Sequence, residues 1–187
     1  MAREQTDLAE SLYSENPFQP IGLRMLDDMD VKILSILQED CTRPVAEIGK
    51  EVGLSTTPCW RRIQKLEELG VIKRRVAVLD PVKVNAGVTV FISIKTDKHS
   101  LAWLERFHAA VADFPEVVEF YRMSGEVDYL LRVAVPDIAA YDVFYKKLIS
   151  HVEIAKVSSA FALEEIKHTT ALPLTFARPP MEKKRSG

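Results

Sequence analysis

The chain has 187 residues, 47% of them hydrophobic and 28% charged, an ordinary balance for one medium globular domain or two small ones. No apolar run approaches the roughly 20 residues that span a bilayer, and the opening MAREQTDLAESLYSENP lacks the apolar core of a signal peptide, so a cytoplasmic protein without membrane contact is expected. Cys41 and Cys59 form neither a disulfide framework nor a CxxC pair, and His99, His108, His151 and His168 stand at no metal-ligand spacing, which gives no metal or cofactor site to expect.

A net charge of −2 argues against a nucleic-acid partner only as an average. Residues 55–75 hold six cations (Arg61, Arg62, Lys65, Lys73, Arg74, Arg75) against Glu67 and Glu68, a balance of +4, whereas residues 26–54 hold three cations against seven carboxylates, a balance of −4. A local basic face is what phosphate binding requires.

In chain order, residues 1–24 are polar, include Pro17 and Pro20, and keep no period; they read as a flexible arm. Leu26, Met29, Ile33, Leu34 and Leu37 recur at helical spacing and predict a first helix to about Asp40. A second helix opens near Pro44 and closes at Gly53, which tolerates the left-handed cap conformation. Ser55 caps a third helix that runs to Leu69 and stops at Gly70. VIKRRVAVLDP then reads as a short strand or wing, ending a head over residues 25–80, with 81–86 as linker.

The second half changes rhythm. Gly87–Thr96 alternates and predicts a strand, and Ser100–Phe114 a helix with Leu101, Leu104, Phe107, Val111 and Phe114 on one stripe. Val117–Ser124 and Tyr129–Val135 predict strands about a tight Gly125-Glu126 turn, Asp137–Ser150 a helix, and Glu153–Ile166 a long last strand. The order βαββαβ predicts a ferredoxin-like sandwich over residues 87–172, so the fold class is α+β, with a winged helix-turn-helix in front. Residues 173–187 are proline-rich and basic and read as a flexible tail.

The local signal with the most chemistry is Ile48-Gly49 followed by Val52-Gly53-Leu54-Ser55, where two helices meet through a few residues, as in a helix-turn-helix; an ordinary helical hairpin is the plainer alternative. Gly49 costs about 1 kcal/mol against alanine within a helix, which makes sense if the third helix crosses closely. On that helix Cys59, Ile63 and Leu66 should be buried. Ser55, Thr56, Thr57, Trp60, Arg61, Gln64 and Lys65 supply hydroxyls, an indole, an amide and cations that can reach base edges and phosphates in a major groove, with Arg74 and Arg75 extending the patch. Arg62 is placed to reach either the DNA backbone or a neighbouring acid, and Trp60 fits a core position as well as a surface one. Cys41 and Cys59 read as small buried hydrophobes rather than a redox switch.

LDDMDVKILSILQEDC, IGKEVGLSTTPCWRRIQKLEELGVIKRRVAVLDP and FYRMSGEVDYLLRVAVPDIAAYDVFYKKLI together resemble the Lrp/AsnC family of feast/famine regulators, over roughly residues 26–172. STTPCWRR and SGEVDYLLRV are most similar to its cysteine-responsive branch. Pro44 stands where the family often has a serine cap, and Gly49 where it often has alanine. The resemblance implies a DNA-binding head and a second domain that dimerises, assembles further and binds an amino acid near the turn between the second and third strands. Here that turn carries Met123, Ser124, Gly125, Glu126 and Asp128, with Ser158 and Ser159 on the facing strand. Chemistry agrees, since an amino-acid zwitterion needs a carboxylate for its ammonium and free N–H groups for its own carboxylate; a solvated hairpin shaped by Asp128 is the plainer alternative.

The expected function is thus sequence-specific binding to double-stranded DNA by a homodimer that assembles to a higher even oligomer, modulated by a small amino acid, with cysteine the first candidate. The strand VTVFISI, apolar on both sides, asks for a partner surface. The alternative is an enzyme or an amino-acid-binding regulatory subunit on a ferredoxin-like domain, with the head used for protein contact; no nucleophile–base pair, metal cluster or phosphate loop supports an enzyme.

Overall fold

The computed structural model describes residues 26–97, 100–151 and 154–177. The arm expected over 1–24 and the last ten residues of the expected tail lie outside them. The chain divides into two units, a head that runs to Val76 and resumes at Thr169, and a second unit over Ala77–His168.

The head is built on three helices, α1 (Asp28–Glu39), α2 (Val45–Val52) and α3 (Thr56–Glu68). Asp27 caps α1 by accepting the Asp30 N–H at 2.8 Å, and the Asp30 carboxylate accepts the Asp27 N–H at 3.4 Å in return, a reciprocal box that satisfies two otherwise orphaned donors. Pro44 occupies the cap of α2 rather than its first turn, and Gly53 closes that helix in the left-handed conformation at φ 79°. Ile33, Ile48, Cys59, Ile63 and Leu66 form the buried centre. Gly49 is where α2 meets the turn and α3: a Cβ there would lie 2.8 Å from the Leu54 carbonyl oxygen and 3.4 Å from Cys59 Cβ. The missing side chain is therefore what admits the close crossing.

Two features of the head differ from the sequence expectation. Residues 71–80, expected as a strand or wing, join no ladder among the described residues, and Val76, Val78 and Leu79 stand more than half exposed; a strand exists only where a neighbour takes its backbone groups. Residues 169–177 return to the head rather than ending the second domain and opening a free tail. Gln38 Nε2 donates to the Leu172 carbonyl (3.3 Å) and Gln38 Oε1 accepts the Leu172 N–H (2.7 Å). Leu174 then packs on the head core from a 3-10 turn over Leu174–Ala177. This pairing spans 134 positions, a separation at which local periodicity carries no signal.

The second unit runs β1 (Val88–Lys95), α4 (Leu101–Ala112), β2 (Val117–Arg122), β3 (Tyr129–Val135), α5 (Ile138–His151) and β4 (Lys156–Phe161). The strands pair in the order β2-β3-β1-β4, all antiparallel, which is the ferredoxin-like arrangement. Strand alternation sorts the faces. Val90, Ile92 and Ile94 of β1 and Leu131, Val133 and Val135 of β3 pack against Trp103, Phe107 and Val111 of α4 and Phe144 and Leu148 of α5. The opposite face presents Phe91, Tyr121 and an Arg132–Glu119 pair at 2.7 Å. The last strand, expected over 153–166, ends at Phe161, opposite Val90 of β1. Ala162 N–H still reaches the Thr89 carbonyl, after which Leu163 and Ile166 stand fully or nearly fully exposed.

Candidate nucleic-acid interface and effector cleft

Helix α3 separates its chemistry by face, as the spacing predicts. Cys59, Ile63 and Leu66 are at most 2% exposed, and burial pushes the Cys59 thiol up, which holds it protonated and opposes thiolate chemistry. Thr56, Thr57, Arg61 and Lys65 point outward. Trp60 is 50% exposed, which resolves its two readings in favour of the surface. Ser55 occupies the cap of α3 but its side chain makes no capping bond. The third helical position is Pro58, which has no N–H to donate. The Ser55 hydroxyl therefore stays uncommitted at the positive end of the helix, beside the Thr56 and Thr57 hydroxyls.

Three residues expected at the interface are instead engaged within the head. Arg62 Nη1 lies 2.6 Å from Asp27 Oδ2 and 2.7 Å from Asp30 Oδ1. Of its two readings the neighbouring acid prevails, and the side chain ties α3 to the start of α1. The Asp27 and Asp30 hydrogen bonds raise the guanidinium pKa further. Burial works to raise the Asp27 carboxyl, but the Asp30 N–H and the guanidinium together hold it below its ordinary value. Glu67 binds both of the other two, accepting from Gln64 Nε2 at 2.9 Å and from Arg75 Nη2 at 2.8 Å. Arg61, Lys65, Lys73 and Arg74, in contrast, have no ion pair among the described residues.

In the second unit, the β2–β3 turn holds Met123, Ser124, Gly125 and Glu126, all exposed. Gly125 sits at φ 121°, a conformation that side chains rarely adopt. Asp128 is structural: its carboxylate accepts the Thr96 N–H at 2.7 Å and its N–H donates to the Ile94 carbonyl at 3.0 Å. Beside the turn lies a cleft of about 310 Å³ lined by Ser93, Ile94, Lys95, Glu126, Val127, Lys156 and Ser158.

Ser158 and Ser159, expected together, part company. Ser158 pairs with Ser93 on the open face, whereas Ser159 points to the helix side and is hydrogen-bonded to the Tyr141 hydroxyl. Adjacent strand residues face opposite ways, so Ser159 is removed from the cleft. Conversely, Ser93, Lys95 and Lys156 line it, three residues that the sequence reading does not single out; alternation at the end of VTVFISIK puts Ser93 and Lys95 on one face, whereas Lys156 joins them only through the β1–β4 pairing. Among the described residues no three His, Cys, Asp or Glu side chains gather as metal ligands, and no helix is long and apolar enough to cross a membrane.

Family models match residues 26–67 as an AsnC-type helix-turn-helix domain and residues 89–172 as an Lrp/AsnC ligand binding domain. The chain is 51% identical over 81% of its length to the glutamate uptake regulatory protein of Zymomonas mobilis, of which it covers 93%. It is 48% identical over 80% of its length to the DNA-binding transcriptional activator DecR of Escherichia coli, of which it covers 99%. A solved AsnC family transcriptional regulator from Agrobacterium tumefaciens superposes with a TM-score of 0.79 at 70% identity, covering 81% of this chain and 99% of that one. A transcriptional regulator from Neisseria meningitidis, solved in complex with L-Met, superposes with a TM-score of 0.77 at 39% identity, covering 81% and 98%.

A helix-turn-helix head, a separate four-stranded domain and relatives named as regulators define a DNA-binding transcriptional regulator with an amino-acid ligand binding domain. The relatives' names point to transcription rather than catalysis. The chain belongs to the Lrp/AsnC family. What the comparisons show is likeness at the level of the family.

Proposed function

We propose that α3 enters the major groove of double-stranded DNA, with Arg61 and Trp60 at base edges, and Ser55, Thr56, Thr57, Lys65 and Arg74 on phosphates. The observation that supports this most is the division of α3 itself: Cys59, Ile63 and Leu66 are at most 2% exposed, while Thr56, Thr57, Trp60, Arg61 and Lys65 face outward. Hydroxyls beside a helix N-terminus suit phosphate oxygens. Fluorescence anisotropy across a salt series tests the interface. Arg74→Ala should weaken binding to every duplex and flatten the slope of log K against log salt by about one unit. An unchanged slope removes Arg74 from the interface.

In this reading the protein works in the cytoplasm as a symmetric dimer that assembles to a higher even oligomer. The open sheet face, with Phe91 39% and Tyr121 49% exposed, supports a partner surface there. A symmetric dimer would read two half-sites about 34 Å apart, or a multiple of that spacing. Sedimentation at micromolar concentration tests it, and a monomer would refute it.

The effector in this reading is an amino acid held beside the β2–β3 turn, where Glu126 meets its ammonium, Ser158 supplies a hydroxyl, and Gly125 lets the backbone approach. It acts only through its differential affinity for two assemblies or DNA-binding states. Cysteine, the candidate that the branch resemblance names, is tested by calorimetry under reducing conditions; no heat with cysteine beside a response to another amino acid discards cysteine and keeps the site.

A further inference from the structure

The effector cleft carries more charge than a neutral amino acid can satisfy. Lys95 and Lys156 stand directly opposite one another across the β1–β4 pair, and Ser93 and Ser158 form the next pair on the same face. All four line the cleft with Glu126. Neither lysine nor Glu126 has an ion pair among the described residues. Like charges set opposite each other weaken a strand pair, so the two lysines do nothing for the sheet by themselves.

Resting on the effector reading above, we propose that this cleft selects an amino acid with an acidic side chain. The lining counts two cations against one carboxylate. An amino acid's ammonium matches Glu126 and its α-carboxylate matches one lysine. With a neutral side chain, such as that of cysteine or leucine, the second lysine still faces its like-charged neighbour. A second carboxylate at the end of the ligand compensates it, with the Ser93 and Ser158 hydroxyls placed to donate, and charge-assisted bonds of this kind are the strong ones. A volume of about 310 Å³ lies at the small end of ligand sites and suits aspartate or glutamate.

Calorimetry on the intact protein tests this with L-aspartate and L-glutamate against their near-isosteric amides, L-asparagine and L-glutamine, and against L-cysteine. The acids should bind at least tenfold more tightly than the amides, with an advantage that shrinks as salt rises. Lys95→Gln and Lys156→Gln should each erase that advantage while leaving the melting temperature of the ligand-free protein unchanged or slightly raised, since each removes a repulsion at an exposed position. Glu126→Gln should weaken all five ligands alike. If amides or cysteine bind as tightly as the acids and Glu126→Gln still abolishes binding, charge selection is refuted and the effector site stands. If the acids bind but none of the three substitutions changes their affinity, the ligand sits elsewhere and the proposal falls. If no amino acid binds at all, the effector reading fails and this inference goes with it.

Discussion

The carboxylate of Asp128 accepts the backbone N–H of Thr96 at 2.7 Å, and the N–H of Asp128 donates to the carbonyl of Ile94 at 3.0 Å. One residue thereby stitches the end of β1 to the hairpin beside the effector cleft, and Thr96 is only 6% exposed. Asp128→Ala leaves that N–H without its acceptor and should cost about 1–3 kcal/mol of stability, whereas Asp128→Asn keeps an acceptor oxygen and should recover most of it. Urea unfolding checks this, and an unchanged midpoint in Asp128→Ala would show that the stitch holds nothing. A lost ligand response in Asp128→Ala therefore does not locate the effector; Glu126→Gln, at an exposed turn, does.

Neighbouring arginines on α3 should behave oppositely. Arg62→Ala removes the tether to Asp27 and Asp30; because the pairs are partly exposed, the expected loss is only about 1 kcal/mol of stability, with the ratio of specific to random DNA affinity unchanged. Arg61→Ala should leave stability within about 0.5 kcal/mol and relax preference at one base position by roughly 1–3 kcal/mol. Competition binding with specific and random duplexes separates the two, and an equal loss on both in Arg61→Ala makes Arg61 a phosphate contact only.

Gly49→Ala sets two effects against each other. Alanine gains about 1 kcal/mol in helix propensity, but its Cβ would sit 2.8 Å from the Leu54 carbonyl oxygen. That contact is backbone and belongs to the turn, so relief requires moving α3, and overpacking of this kind costs about 1–3 kcal/mol. The expected result is a lower melting temperature together with weaker DNA binding. A melting temperature equal to or above the parent's would mean that the turn yields.

His108 makes the second unit sensitive to acid. Its ring packs edge-on against Phe120 and Tyr129, with centroids 5.1 and 6.2 Å away; burial, aided by the Arg122 charge, lowers its pKa below the ordinary 6.5. In the unfolded chain the ring takes up its proton near pH 6.5, while the folded protein resists until lower pH. Between those two values the unfolded state binds more protons, so stability is full above about pH 6.5 and falls as the pH drops towards the folded pKa. Denaturant unfolding from pH 7.5 to 5 should show this decline, and His108→Phe should flatten it. An identical slope in His108→Phe would assign the decline to other groups.

Sequence period alone determined the elements and their order, because a helix or strand is chosen by neighbours a few residues apart. The 4, 3 spacing of Cys59, Ile63 and Leu66 placed the buried face of α3, and the alternation through β1 placed Val90, Ile92 and Ile94 inward. What a polar side chain does with its charge was decided only in three dimensions. Arg61 and Arg62 are alike as residues, but only Arg62 comes within reach of the α1 cap, a partner 35 positions away. Residues 71–80 and 162–166 have strand-like composition, but whether such a segment forms a strand depends on a free neighbour to pair with, which no local pattern reports. The pleat alone sets Ser158 and Ser159 on opposite faces, but which of them meets the cleft was decided by pairing, and Lys95 met Lys156 only because β1 and β4 pair at that alignment. The return of Leu172 to Gln38 likewise rests on a contact 134 positions long. Local propensity acts through a turn or a strand's pleat, whereas ion pairs, edges and clefts depend on which distant segments the fold brings together.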